Sequence, residues 1–384
     1  MKKIFSSLFV VSIAIIMILS FSLVGCKTTV ASETTAAVET TAAVETTVAS
    51  ETTAAVEGEA PTVYNLSPDK IPSGWKLPKT VGHVTNYLVH EWYQNLTKGE
   101  KARADKYGIE FSINDANLDL QKSLAALDDY VAKKTDVIVF TPVNEDASGP
   151  AILNAIGKGA LVIGESSPAD GMITLVSIDD YAAGYKTGIA AGKYMAENFS
   201  GKDVLILDVT LPALPTCVNR SDGFFDGLKS ITPGAKRVQV DGKGLKDEVV
   251  KVAGDAITAN PGINVIFGIN DDSALGGLQA WRAAGLSDSN VLVVGFGLEG
   301  NAGKSALMEG GPYKISAAMF PENQGKLLID AAIMAFNHAE LPKHIVAQSL
   351  AMTKELLPNY YTKDGDEWVI NFDAAGKIST EGEK

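Results

Sequence analysis

Val265-Ile266-Phe267-Gly268-Ile269-Asn270-Asp271-Asp272-Ser273-Ala274-Leu275-Gly276 opens a stretch that runs through the helical Ser273–Ala284 and returns to Val291-Leu292-Val293-Val294-Gly295-Phe296. The first run is apolar, β-branched and of strand length, so both its faces are buried. Two acids stand at the start of the amphipathic segment, where a helix N-terminus favours negative charge. The second apolar run repeats the first. A buried strand, a covering helix and another buried strand make the unit of a parallel sheet.

Working outward, the same alternation recurs from Pro78 onward. Apolar runs lie at Thr80–Val84, Ile109–Ile113, Val137–Phe140, Leu161–Ile163, Leu175–Ile178, Val204–Val209, Val238–Val240 and Ile315–Phe320. Helical stretches separate them, among them Trp92–Tyr107, Leu120–Lys133, Tyr181–Glu197, Val249–Ala259 and Gln324–Asn337. About ten strands exceed what one doubly wound sheet usually holds, so the expectation is an α/β protein of two lobes. Ligands in such sheets bind beyond the carboxyl ends of the strands, and between two lobes that edge becomes a cleft.

The N-terminus reads differently. Lys2 and Lys3 precede an uncharged apolar stretch, Ile4–Val24, that closes on Leu23-Val24-Gly25-Cys26. Basic, apolar, small, Cys is the order of a bacterial lipoprotein signal peptide, here residues 1–25, with Cys26 as the lipidated residue. A transmembrane anchor, which needs about 20 apolar residues, is the competing reading, and under either the remainder lies outside the membrane. Residues 26–77 are expected to be a disordered Thr/Ala/Glu-rich tether. Its Glu-Thr-Thr-Ala-Ala-Val motif recurs every six residues, with acids at Glu33, Glu39, Glu45 and Glu51, and no packed repeat has that period.

Of 384 residues, 46 are acidic and 33 basic, a net charge of −13 that argues against nucleic acid as a partner. The four histidines, His83, His90, His338 and His344, show no metal-ligand spacing, so no metal is expected. Gly295-Phe296-Gly297-Leu298-Glu299-Gly300 matches a dinucleotide fingerprint but reads better as a tight strand-to-helix turn, and no cofactor is expected. The acid pairs Asp128-Asp129, Asp179-Asp180 and Asp271-Asp272 read as caps and hinge residues, and Cys217 as a small buried hydrophobe, so the chain carries no catalytic residue. The unusual stretch is His90-Glu91-Trp92-Tyr93-Gln94, which sets adjacent aromatics at the ligand edge of the first strand. Aromatic faces stack on sugar rings at low entropic cost.

From Thr80 to about Ala347 the sequence resembles the periplasmic-binding-protein-like family of the ribose type. The marks are Ala104-Asp105-Lys106-Tyr107-Gly108, Val139-Phe140-Thr141-Pro142, Asp179-Asp180-Tyr181-Ala182-Ala183-Gly184, Arg220-Ser221-Asp222-Gly223-Phe224, Ala259-Asn260-Pro261 and the Asn270-Asp271 region quoted above. The resemblance implies the type I fold: two doubly wound parallel-sheet lobes joined by a three-segment hinge at Asp179–Tyr181, Met319–Pro321 and near Ile345–Ser349. The N-terminal lobe would be residues 78–179 and 320–347, and the C-terminal lobe 180–319 and 348–384 with a C-terminal extension.

It further implies a monomeric extracytoplasmic solute-binding subunit of an ABC importer, lipid-anchored, not an enzyme, with a small sugar-like ligand and the permease transmembrane subunits as partners. A sensory module for a chemoreceptor or histidine kinase is the alternative. Carried over position by position, the ligand residues are Asn86, His90, Trp92, Tyr93, Thr141, Glu165 and Asn270. Four positions depart from the ribose pattern: Ser166 and Val218 stand where Arg is expected, Gly297 where an acid is expected, and Met319 where Gln is expected. These losses argue against D-ribose itself, and the large Trp92 points to another ring or a less polar polyol.

Overall fold

The computed structural model describes Leu66 and residues 71–377. The expected signal peptide, Cys26 and most of the expected tether lie outside the described residues.

The chain runs β1 (Thr80–Thr85), α1 (Glu91–Tyr107), β2 (Glu110–Asp115), α2 (Leu120–Ala132), β3 (Val137–Phe140), α3 (Glu145–Gly157), β4 (Val162–Glu165) and β5 (Leu175–Ile178). It continues as α4 (Asp180–Asn198), β6 (Leu205–Thr210), α5 (Pro215–Ile231), β7 (Lys236–Asp241), α6 (Lys246–Ala259), β8 (Val265–Gly268), α7 (Asp271–Ala283), β9 (Leu292–Gly297), α8 (Asn301–Glu309) and β10 (Tyr313–Ala318). Then come α9 (Pro321–Phe336), β11 (His344–Ala347), β12 (Leu350–Thr353), α10 (Leu357–Tyr360), β13 (Tyr361–Asp364), β14 (Glu367–Ile370) and α11 (Phe372–Ala375).

Two six-stranded sheets result, ordered β11-β5-β4-β3-β1-β2 and β12-β10-β9-β8-β6-β7, so both lobes have the same strand order up to their last strand. Their central strands, such as Val137–Phe140 and Leu292–Gly297, are buried along their whole length, as strands covered by helices on both faces must be. The chain passes between the sheets three times: between β5 and α4, between β10 and α9, and through Gln348-Ser349 between β11 and β12. At the second passage Phe320 holds a left-handed backbone, φ 50°, and its buried ring stacks 5.9 Å from Tyr361.

The structure departs from the sequence reading in three places. The second sheet is not wholly parallel, since β12 runs antiparallel to β10. The hairpin β13–β14 was not anticipated, its strands being short and mostly exposed. The expected tether also ends early. Leu66 N–H donates to Asp330 Oδ2 at 3.0 Å, and Lys76 exchanges two hydrogen bonds with Asn337, so α9 holds the chain before residue 77.

Helix α1, which carries the aromatic pair, is fixed by its crossing with α9. Gly99 lies against the Glu322 carbonyl and Gly325 against the Leu96 carbonyl, so closely that a side chain at either would collide with backbone. One turn on, the buried Arg103 grips Asp330 with two hydrogen bonds of 2.8 and 2.9 Å. Small residues let the helices touch, and the paired fork sets their register.

A candidate ligand site at the strand ends

The N-terminal lobe contributes a buried chain of polar groups. His83 on β1 places Nδ1 2.8 Å from Glu100 Oε2 on α1 and Nε2 3.0 Å from Thr141 Oγ1 just after β3. Thr141 donates to Glu165 Oε2 at 2.8 Å, and Gln324 of α9 donates to Glu165 Oε1 at 2.9 Å. Because the threonine proton goes to Glu165, His83 Nε2–H donates to Thr141 and the second ring nitrogen shares a proton with Glu100. His83, Glu100, Thr141 and Glu165 are all completely buried.

Burial alone would discharge the imidazole, but Glu100, with help from Glu165, outweighs it and raises the His83 pKa. Burial likewise pushes Glu165 up to about 7, against the opposing pulls of His83 and Thr141. With Thr141, Gln324 and the Trp92 indole as donors, the carboxyl group keeps a remaining lone pair for a ligand hydroxyl.

The aromatic pair stands beside this chain. The Tyr93 hydroxyl meets the side chains of Asn86 and Ser166, and burial beside Glu165 raises its pKa, so it stays protonated. The Trp92 indole reaches the Glu165 carboxyl but is only 8% exposed and packs in the same apolar cluster as Leu96 and Phe296. Asn86 donates to the Pro142 carbonyl at 2.9 Å and leaves its Oδ1 buried without a partner. Asn86, Trp92, Tyr93, Thr141 and Glu165 are therefore brought together.

His90 and Asn270 serve first as helix caps. His90 Nδ1 accepts the Trp92 N–H at the start of α1, and burial lowers its pKa, leaving it neutral. Asn270 Oδ1 accepts the Ser273 N–H while its amide donates to the Gly244 carbonyl at 3.0 Å. The reading of Asn270 as a hydroxyl binder thus meets a side chain whose oxygen and amide are both engaged in the turn before α7.

Sequence reasoning did not identify the residues of the C-terminal lobe that face this group. Arg220 on α5 donates to Asp180 at 2.7 Å and to the Ile269 carbonyl at 3.1 Å, and its guanidinium lies 4.6 Å over the Phe296 ring. It is a charged neighbour of Tyr93, His90 and Glu299. Gln324 and Glu100 were also missed, although a Gln was sought at 319, five residues earlier. The other acids are engaged locally: Asp128 and Asp129 pair with Lys158 and Lys133, Asp179 caps α4, and Asp271 accepts from Tyr313 and Ser316. Cys217 is buried, and burial pushes its thiol pKa up. Among the described residues no group of three or more His, Cys, Asp or Glu is placed to hold a metal ion.

Two sheets of like strand order, crossed three times by the chain and lined with polar and aromatic groups at their facing strand ends, define a two-lobed, cleft-forming α/β protein. The family model described as "Periplasmic binding protein domain" matches residues 81–340, and the chain belongs to that family. Among its relatives are the ribose import binding protein RbsB of Bacillus subtilis (strain 168), 26% identical over 72% of this chain and 87% of its own, and the xylitol-binding protein of Mycolicibacterium smegmatis (strain ATCC 700084 / mc(2)155), 29% identical over 63% and 70%. The fold is shared with an ABC transporter periplasmic solute-binding protein of Actinobacillus succinogenes 130z with bound D-allose, with a TM-score of 0.67, 23% identity and coverage of 73% of this chain and 99% of that one.

Proposed function

We propose that this protein captures a small sugar or polyol between its lobes, residues 78–179 with 320–347 and 180–319 with 348–384, and delivers it to the membrane subunits of an ABC importer without changing it chemically. The observation that carries the reading is the buried Glu165, held by Thr141 and Gln324 with Trp92, Tyr93 and the unpartnered Asn86 Oδ1 around it. That group offers hydroxyl acceptors against an aromatic wall, the chemistry that recognises a polyhydroxylated carbon chain. The relatives whose names specify ribose and xylitol support the same class of ligand.

The test is calorimetric titration with D-ribose, D-allose and xylitol, repeated on Glu165→Gln. The variant should bind the preferred probe about tenfold or more weakly, since an amide donor would face Gln324 or Thr141 and leave ligand hydroxyls unpaired. Equal affinity in both proteins would remove Glu165 from the site.

The lipid anchor at Cys26 is part of this reading. Cys26→Ala should move the mature protein from the detergent phase to the aqueous phase. A variant that stayed in detergent would instead be held by its apolar N-terminal stretch.

A further inference from the structure

The two lobes treat one equivalent position differently. In the N-terminal lobe β4 ends on Glu165, followed by Ser166 with a left-handed backbone, φ 65°. In the C-terminal lobe the matching strand β9 ends on Gly297, followed by Leu298, also left-handed at φ 49°. Gly297 itself has φ 105°, a conformation that a side chain rarely tolerates. A side chain there would also collide with the carboxyl group of Glu299, which folds back over the strand end and occupies that place.

Glu299 has no structural use for its outer oxygen. It is 6% exposed, and Oε2 is buried without a hydrogen-bond partner. Lys304, the nearest lysine, donates to the backbone carbonyls of Glu299 and Gly300 instead of to the carboxyl. Arg220 and Lys304 of its own lobe and, from α1 of the other lobe, Glu91 are the charges that Glu299 feels. The segment is also held from the other lobe, because Asn95 donates to the Glu299 carbonyl.

We propose that Glu299 supplies the carboxylate with which the C-terminal lobe binds a ligand hydroxyl, opposite Glu165 and in place of the side chain absent at Gly297. A buried acceptor without a donor costs about 1–3 kcal/mol, and a ligand O–H entering the cleft relieves that cost. The inference rests on the sugar or polyol reading above and adds the specificity residue of the second lobe. With acids from both lobes and no second arginine, the ligand is a neutral polyol whose hydroxyls at opposite ends each donate to one carboxyl.

The experiment titrates D-ribose, D-allose and xylitol into wild type, Glu299→Gln and Asn95→Ala, and records the melting temperature of each without ligand. Glu299→Gln should weaken the preferred probe about tenfold while leaving the unliganded protein folded. Asn95→Ala frees the segment from the other lobe and keeps the carboxyl, so it should lose clearly less affinity. Wild-type affinity in Glu299→Gln overturns the assignment. So does an equal loss in Asn95→Ala, which would make the segment a latch. If Glu299→Gln does not fold, Glu299→Asp decides: the shortened carboxyl should still lose affinity, and unchanged affinity overturns the proposal. A wild-type protein that binds none of the three probes overturns both this inference and the reading it rests on.

Discussion

Glu100→Ala is expected to be among the most damaging single changes in the N-terminal lobe, costing about 3–5 kcal/mol, the range seen when one partner of a buried pair is removed. Glu100 and His83 are both wholly buried and share a proton at 2.8 Å. Without the acid, the imidazole must either keep a charge in an apolar surrounding or give up its proton and leave Nδ1 unpaired. Either outcome propagates, because the other ring nitrogen holds Thr141 and Thr141 holds Glu165. Glu100→Gln keeps an acceptor for Nδ1–H and should lose markedly less. Urea unfolding of the unliganded proteins measures this, and a midpoint for Glu100→Ala equal to that of wild type would show that the chain contributes nothing to stability.

The second large effect is in the pH dependence of the unliganded protein. Burial holds both Glu165 and Glu299 at about 7, above the ordinary 4.5. Between those values the folded protein keeps protons that the unfolded chain has released, so the contribution of these two groups to stability is full below about pH 4.5 and is lost as pH rises through 7. Each carboxyl accounts for up to about 3 kcal/mol of that decline. The raised pKa of His83 acts in the same direction, its share disappearing as pH passes above 6.5. Melting temperatures of wild type should therefore drop between pH 5 and pH 7.5, and Glu165→Gln and Glu299→Gln should each flatten the slope. Wild type and both variants running parallel through this window would mean that the carboxyls ionise in the folded protein without penalty.

The fold was legible because its central strands are buried on both faces and so appear as unbroken apolar runs; Val137–Phe140 and Val265–Gly268 stand out on that ground alone. Strands with one or no buried face, such as Glu367–Ile370, carry no such mark. Part of the candidate site was legible for a similar reason. Trp92, Tyr93, Thr141 and Glu165 each follow or end a strand, where ligand groups are expected.

Two of the groups that hold Glu165 were not legible. Gln324 donates to it directly and His83 supports it through Thr141, because the sheet order places β1, β3 and β4 side by side and lays α9 across them, and no local pattern encodes that. Glu299 was hidden by the backbone turn at Gly297-Leu298, which returns a later side chain to an earlier position. Asn270 was legible as a polar residue at a strand end, yet its engagement as a cap depends on the neighbouring Gly244 loop.

The order in which the chain visits the two sheets bears on how the protein is made. The first sheet is completed by β11, which follows five of the six strands of the second sheet in the chain, and β12 then returns to close that second sheet. Neither lobe can be cut out as one continuous fragment. During synthesis β5 waits with an open edge while more than half of the remaining fold is still to be made, and open edges invite pairing with foreign strands. Long-range pairings of this kind form slowly. A nascent chain halted before His344 would thus be a template for aggregation, and delivery of the last forty or so residues, from β11 onward, is the step at which both lobes become self-contained at once.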